Sequence, residues 1–208
     1  MSASHSQVFQ DLFVLYVTKF KVAGKFLEIG AGDGFTINNT LLLESLLAWR
    51  GIGVELEPSL ASLFNSRRNN ICITADATSL DYTSTLDEFE LPSRIDYLQI
   101  DIDPAHQSLL ALRQVLKTNR RFTVITFEHD LYVNEENALL KAQAFELLTE
   151  SGYKRVMNNV KYDGCAFEDW YIDPQIVKVW SIKFFKIFLY FGLLDIKVRS
   201  IQRRKPQV

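Results

Sequence analysis

Three alternating glycines follow an acidic residue in the segment FLEIGAGDGF, residues 26–35. A strand that leaves a parallel sheet must turn sharply into the next helix, and glycine adopts the backbone torsions that such a turn needs. Gly30, Gly32 and Gly34 also lack a Cβ atom, so a ligand can lie against the main chain there. The spacing predicts a nucleoside-binding turn after the first strand. The alternative is a turn that binds nothing.

The acids around this turn discriminate between nucleoside cofactors. Glu28 stands just before the turn and Asp33 lies within it, so a pyrophosphate would face two carboxylates. The dinucleotide fingerprint G-x-G-x-x-G also needs glycine at position 35, where this chain has Phe35. A cofactor that carries an ammonium and a sulfonium group, S-adenosylmethionine (SAM), fits the acids better.

Acidic residues end the next two predicted strands as well. The strand over residues 51–58 closes on Glu55 and Glu57, and a carboxylate at that point can accept from both ribose hydroxyls. We favour Glu55, with Glu57 as the next choice. The strand over residues 70–77 ends at Asp76, where a carboxylate can accept a hydrogen bond from an adenine amino group.

The fourth and fifth predicted strands end in acids and histidines. Residues 95–101 lead into DIDPAH, residues 101–106, and residues 121–127 lead into EHD, residues 128–130. Ligands of open α/β sheets bind beyond the carboxyl ends of the strands. We therefore expect five strand ends to form one pocket.

Two histidines stand at this predicted rim. Histidine titrates close to neutral pH, so His106 or His129 can take a proton from an alcohol that receives a methyl group. The alternative for each histidine is that it is a structural hydrogen-bond partner and not a catalyst. The sequence leaves open which of the two is the catalytic base.

A cation site is a further hypothesis for the same rim. Asp101 and Asp103 at one strand end, with Glu128 and Asp130 at the next, offer the oxygen ligands that Mg²⁺ or Ca²⁺ prefers. The alternative is that Asp101 serves the cofactor while the other acids cap helices or lie in solvent.

The elements between the strand ends predict an α/β fold with a doubly wound, mostly parallel, seven-stranded sheet and helices on both faces. Thr36 is a candidate N-cap for the second helix. Two final strands are expected to form an antiparallel hairpin at the sheet edge. The remaining predicted elements are helices over residues 8–20, 37–49, 108–117 and 137–150 and strands over residues 152–160 and 165–172.

Five segments together match a known family pattern. They are SQVFQDLFVL at residues 6–15, FLEIGAGDGFT at 26–36 with NT at 39–40 and LE at 43–44, WRGIGVE at 49–55, DID at 101–103 and FEDW at 167–170. With these segments the chain resembles class I SAM-dependent methyltransferases, and among them the FkbM-like methyltransferases. The glycine motif is shared by all class I enzymes, whereas its combination with the opening segment is more specific.

The resemblance, which covers residues 6–174, implies a Rossmann-like methyltransferase domain and a division of roles in the cofactor site. Glu55 would bind the ribose of SAM, Asp76 and Ala77 the adenine, and Asp101 would lie beside the transferred methyl group. The residues expected at the methionine end and around the turn are Glu28, Gly30, Ala31, Gly32, Asp33 and Gly34. The segment after Asp103, Pro104 to His106, departs from the family pattern and leaves the acceptor open.

We expect O-methylation of a hydroxyl on a small molecule or sugar, with Asp101 orienting the reactants and His106 or His129 as base. Two other classes remain as alternatives. One is a SAM- or nucleoside-binding module without catalysis. The other is a nicotinamide-dependent oxidoreductase, which Phe35 and the acids of the turn disfavour.

Composition fits a single enzyme domain of 208 residues. The formal net charge of −2 and the isoelectric point near 5.9 provide no basic field for general nucleic-acid binding. Cys72 and Cys165 form no C-x-x-C pair, which disfavours a zinc site or a disulfide framework. The first residues show no secretion signal, so we expect a cytoplasmic protein.

The segment over residues 175–208 is first apolar and aromatic and then basic, ending with Arg199, Arg203, Arg204 and Lys205. Lysines within the apolar stretch, which extends over residues 176–194, make a bilayer-spanning helix costly. We favour a helix that covers the sheet or a partner subunit in a homodimer. The alternative is a helix that lies on a membrane surface.

Overall fold

The computed structural model describes residues 4–190 and 192–204. Helices and strands alternate along the chain as far as the sixth strand. The strands are β1 Lys25–Ile29, β2 Arg50–Glu55, β3 Ile71–Thr74, β4 Arg94–Ile100, β5 Arg121–Glu128, β6 Lys154–Tyr162 and β7 Cys165–Ile172. The α-helices are α1 Gln10–Val17, α2 Leu41–Leu47, α3 Pro58–Arg67, α4 Tyr82–Glu88, α5 His106–Val115, α6 Glu136–Glu150, α7 Phe185–Tyr190 and α8 Leu193–Arg204, with a 3₁₀ helix over Val179–Phe184.

The seven strands form one sheet in the order β3-β2-β1-β4-β5-β7-β6. The first five strands are parallel, and β7 runs antiparallel to both β5 and β6. The strand order reverses between β1 and β4, and in open α/β sheets this is where the carboxyl ends of the strands leave a crevice. The predicted seven-stranded, mostly parallel sheet is therefore confirmed, including the antiparallel closing hairpin.

Two hydrophobic clusters cover the two faces of the sheet. Leu27 and Leu98 belong to the cluster on the side of α5 and α6. Phe26 and Tyr97, their neighbours in the same strands, belong to the cluster formed with α1, α2 and the C-terminal helices. Because successive side chains of a strand point to opposite faces, these central strands need apolar residues at nearly every position.

The second helix begins at Leu41, four residues later than predicted. Ile37 has a φ of 46°, which a helix does not admit, and the side chain of Asn38 then accepts hydrogen bonds from the backbone N–H groups of Thr40 and Leu41. Thr36 is therefore not the N-cap, and that prediction is wrong. The helix ends at Leu47, because the next residue turns into the left-handed region.

Helices α3 and α4 lie in stretches where no helix was predicted. Glu57 caps α3 by accepting from Ser59 N, and Pro58 occupies the first turn, where its missing N–H costs nothing. Asp81 caps α4 by accepting from the N–H groups of the second and third helical residues. Both starts carry sequence signals that were available, because Pro58 favours the first turn of a helix and Asp81 is a preferred N-cap residue.

The C-terminal segment is not the single helix expected over residues 176–194. It forms the 3₁₀ helix, α7 and α8, and it packs against α1 and β7 through Phe185, whose ring lies 5.1 Å from Phe13 and 6.1 Å from Trp170 between centroids. Tyr16 also donates a hydrogen bond of 2.6 Å to the carbonyl of Ser181. No helix in the described part of the chain is long and apolar enough to cross a bilayer. Lys205 lies outside the described residues.

Candidate functional site

Three left-handed glycines shape the turn between β1 and α2, with φ angles of 80°, 57° and 70° at Gly30, Gly32 and Gly34. A Cβ atom on Gly30 would lie 1.7 Å from the carbonyl oxygen of Asp101, and one on Gly34 would lie 2.4 Å from the ring of Phe64. A Cβ on Gly32 would meet nothing within 4 Å. Gly30 and Gly34 therefore permit close packing against Asp101 and Phe64. At Gly32 the space that a side chain would occupy is empty, so a ligand can approach the main chain there.

A cavity of 610 Å³ opens at the carboxyl ends of β1 to β4. Its volume is within the range of small-molecule and cofactor sites. Six of the ten predicted cofactor residues line it: Gly30, Gly32, Glu55, Asp76, Ala77 and Asp101. Glu57 and Asp103 lie in the same lining. The structure thus brings four strand ends to one cavity.

The carboxylate of Glu55 connects the glycine turn to the end of β2. Its Oε2 accepts a hydrogen bond of 2.9 Å from Gly32 N, and its Oε1 accepts one of 2.9 Å from Glu57 N. These two bonds fix the carboxylate at the cavity, whose lining includes Glu55.

Asp76 follows β3 and also lines the cavity. Its Oδ1 accepts hydrogen bonds from the side chain of Thr78 at 2.7 Å and from its backbone N–H at 2.8 Å. These hydrogen bonds lower the pKa of this exposed carboxyl group, so it is ionised at neutral pH. A charged acceptor is suited to an amino group.

Glu28 faces the protein interior. Only 1% of it is exposed, and its carboxyl group accepts hydrogen bonds from Asn38 Nδ2 at 3.0 Å and Thr40 Oγ1 at 2.7 Å. Burial raises its pKa, and the nearby Arg68 guanidinium opposes that shift. In this structure Glu28 organises the loop between the glycine turn and α2.

Ala31, Asp33 and Gly34 belong to the turn but do not line the cavity. Asp33 Oδ1 accepts from the N–H groups of Phe35 at 2.9 Å and Thr36 at 2.8 Å. Burial acts to raise the pKa of Asp33, but these hydrogen bonds outweigh it and lower the pKa to about 2. Ala31 is buried in a small cluster with Ala61, Phe64 and Cys72.

Asp101 follows β4 and meets the carboxyl group of Glu128, at the end of β5. Its backbone N–H donates to the carbonyl of Ile29 at 3.0 Å, which places it beside the glycine turn. Burial raises the pKa of Asp101, and a hydrogen bond with Glu128 opposes the rise. Burial and the neighbouring Asp101 charge raise the pKa of Glu128 well above its usual range. We therefore place the shared proton on Glu128.

Glu168 is a buried acid that was not predicted as a site residue. It lies on β7 directly opposite Glu128, and it accepts hydrogen bonds from Gln10 Nε2 at 3.1 Å and from the indole of Trp170. Burial raises its pKa to about 8. Its segment and that of Gln10 both belong to the family pattern, but the sequence separates them by 158 residues.

The four acids of the hypothetical cation site do not converge as ligands. Asp101 pairs with Glu128, and Glu128 in turn contacts Asp130. Over residues 4–190 and 192–204, no group of three or more His, Cys, Asp or Glu side chains is arranged to hold a metal. The prediction of a divalent cation at Asp101, Asp103, Glu128 and Asp130 is therefore not supported.

The two candidate histidines have different surroundings. His106 is exposed at the start of α5 and lines a second cavity, of 340 Å³, which shares Asp103 and Pro104 with the first. His129 is 0% exposed, with Nε2 3.4 Å from Asp169 Oδ1 and Nδ1 accepting from Leu131 N at 3.2 Å. His106 can therefore meet a ligand, whereas both nitrogens of His129 are engaged.

Comparison with known proteins gives matches among solved structures alone. No family model matches the chain, and no curated protein does. An O-methyltransferase from Bacillus cereus in complex with SAH, the demethylated product of SAM, matches with a TM-score of 0.57 at 18% identity, over 79% of this chain and 80% of that one. A SAM-dependent methyltransferase from Aquifex aeolicus matches with a TM-score of 0.52 at 13% identity, over 80% and 91%.

The N-methyltransferase NodS from Bradyrhizobium japonicum WM9, also in complex with SAH, matches with a TM-score of 0.51 at 11% identity, over 79% of this chain and 85% of that one. At these identities the similarity concerns the fold. The FkbM-like assignment finds no match and stays a prediction. The chain has the Rossmann-like fold of class I SAM-dependent methyltransferases.

Proposed function

We propose that the protein is a SAM-dependent methyltransferase that transfers the methyl group to a hydroxyl of a small molecule or sugar. The observation that carries the proposal is the 610 Å³ cavity, in which the open main chain at Gly32 faces the carboxylates of Glu55, Asp76 and Asp101. The fold is the one found in SAM-dependent methyltransferases, and Phe35 together with the acids of the turn disfavours the nicotinamide-dependent oxidoreductase. The assay described below separates methyl transfer from a non-catalytic module.

The residues that line the cavity fit SAM in chemistry as well as in size. Glu55 would accept from the ribose hydroxyls, and Asp76 with Ala77 would bind the adenine. Asp101 would face the cationic methionine end, where its negative charge matches the ammonium group. Glu28 and Asp33 would act indirectly, because their hydrogen bonds hold the loop that forms the turn.

Bound SAM supplies an electrophilic methyl carbon, and the protein must align an acceptor oxygen behind it and remove the proton of the hydroxyl. We assign the removal of this hydroxyl proton to His106, which lies in the cavity adjoining the cofactor site. Asp101 would orient the reactants. We assign His129 a structural role, because Asp169 and Leu131 N occupy its two nitrogens.

A transfer assay tests this function. The protein is incubated with methyl-labelled SAM and a panel of sugars and small alcohols, and label in the acceptor is measured. We expect transfer to at least one hydroxyl compound. SAH binding without transfer to any member of a broad panel would instead support the non-catalytic module, and NADH binding would revive the oxidoreductase.

We also propose that the outer face of the C-terminal helices binds a membrane surface with anionic headgroups. Trp180 is 60% exposed and Tyr190 is 85% exposed. Residues 176–208 contain eight Lys or Arg and one Asp, whereas the rest of the chain contains fifteen Lys or Arg against twenty-four Asp or Glu. Aromatic side chains beside lysines suit a membrane surface with anionic headgroups. A two-fold dimer through this face would bring like charges together.

A further inference from the structure

We propose that the methyl acceptor carries a positively charged group, an ammonium or a guanidinium, which binds Asp130 in the 340 Å³ cavity. This inference rests on the proposed methyltransferase function and specifies its substrate class. It concerns the part of the acceptor that does not react, so it is compatible with a hydroxyl as the methylated group.

The position of the cavity makes it the acceptor site. It shares Asp103 and Pro104 with the cofactor cavity, and His106 lies in its wall. A molecule bound there can present a hydroxyl toward Asp101, where the methyl group is expected, while the rest of it extends toward α6. The cavity reaches α6 through Asn137 and Leu140.

The charge of this cavity has one sign. Asp103, Asp130 and Glu136 line it, and among the described residues of its lining there is no Lys or Arg. Clefts lined by one sign of charge attract ligands of the opposite sign and repel ligands of the same sign. Phosphorylated sugars and carboxylates are therefore disfavoured as acceptors.

Asp130 identifies where the positive group binds. It is only 5% exposed, and its Oδ1 has no hydrogen-bond partner. Its backbone is held in place, since its carbonyl accepts from Asn137 Nδ2 at 2.8 Å and its N–H donates to Phe167 O at 3.0 Å. A buried acceptor without a donor is costly, and a ligand that donates to it removes the cost.

The neighbouring acids explain why the donor should be charged. Glu128 contacts both Asp101 and Asp130, so the cluster has more acceptor atoms than protons to share among them. A neutral hydroxyl would satisfy one oxygen and leave the negative charge uncompensated. An ammonium or guanidinium group provides the donors and the charge together.

Matched pairs of small probes test the inference on the full-length protein saturated with SAH. The pairs are glucosamine with N-acetylglucosamine and ethanolamine with ethylene glycol, each differing in the charged nitrogen. Binding is measured by calorimetry or ligand-observed NMR. We expect at least one amine to bind about tenfold more tightly than its neutral twin, the effect of one hydrogen bond to a charged group.

Two variants test whether Asp130 causes the preference for the amine over its neutral twin. Asp130→Asn keeps the shape and removes the charge, so it should abolish the preference for the amine. Glu146→Gln removes an exposed acid from the same helix region, α6, and should leave the preference intact. If no amine exceeds its neutral twin, or if Asp130→Asn retains the preference, the inference is wrong. Loss of SAH binding in the same samples would instead contradict the methyltransferase function itself.

Discussion

The backbone N–H of Gly32 donates a 2.9 Å hydrogen bond to Oε2 of Glu55, although the two residues are 23 positions apart. It adds a side-chain contact to the backbone hydrogen bonds that join Gly30 and Ala31 to Val54 near the end of β2. Gly32 has no protein atom within 4 Å of the place where a Cβ would lie, Glu55 contributes a fixed carboxylate, and both residues line the same cavity. The contact shows how a turn and a strand end that are separate in sequence come to line one cavity.

Substitutions at two glycines of the turn should differ in effect, with Gly30→Ala acting mainly on stability and Gly32→Ala mainly on binding. Gly30→Ala places a methyl group against the Asp101 carbonyl, and we expect it to lower the free energy of unfolding by about 2–4 kcal/mol. Gly32→Ala meets no protein atom, so it should cost about 1 kcal/mol but reduce SAH affinity at least ~10-fold. Urea unfolding and calorimetry measure the two effects. Equal affinity of Gly32→Ala and wild type would place the cofactor elsewhere.

Glu168 should make stability depend on pH. Its pKa is about 8 in the folded protein, above the ordinary value of 4.5, so the folded state binds a proton that the unfolded state releases between these values. Its contribution is therefore present at low pH and is lost as pH rises toward 8. In Glu168→Gln, the free energy of unfolding should fall less than in wild type between pH 5 and pH 8. Parallel pH profiles of the two proteins, from urea unfolding, would contradict the raised pKa.

Substitutions at the two histidines should affect different properties, catalysis at His106 and stability at His129. His106→Ala should lower kcat by about 10²–10⁴-fold while SAH affinity and unfolding stay unchanged, as expected for loss of a general base. His129→Ala should mainly destabilise the protein, since it leaves the buried Asp169 without one of its partners. Steady-state kinetics and thermal unfolding of both variants distinguish the roles. A large kcat loss confined to His129→Ala would reverse the assignment.

The C-terminal face should bind anionic membranes. We expect the protein to sediment with vesicles that contain phosphatidylserine and to stay in solution with phosphatidylcholine alone. Lys178→Glu with Lys183→Glu should weaken binding, because each basic residue near such a surface contributes about 1 kcal/mol. Lys154→Glu with Lys161→Glu, on the edge strand β6, is the control with the same change in charge. A dimer in light scattering together with no vesicle binding would assign this face to a second subunit.

The sequence predicted what depends on strand order and spacing. Glu55, Asp76 and Asp101 end successive parallel strands, and parallel strands bring their carboxyl ends to one edge. The alternation of apolar segments with helix signals was enough for the sheet, because strands buried on both faces have a recognisable composition.

What the sequence did not reveal depends on side-chain partners. The glycine motif does not indicate that Glu28 is bound by Asn38 and Thr40, or that the same Asn38 delays the start of α2. The contact between Gln10 and Glu168 requires the antiparallel hairpin to return β7 beside β5. Periodicity describes elements, and such contacts arise only after the elements have packed.

Calorimetric titration with SAH, on the wild type and on Glu55→Ala, tests the central claim most directly. Glu88→Ala, which removes an exposed acid at the end of α4, is the control for the change in charge. We predict binding to the wild type and to the control, and at least ~10-fold weaker binding to Glu55→Ala, since the ribose would lose its charged acceptor. Absence of heat and of thermal stabilisation by SAH in the wild type would contradict the account.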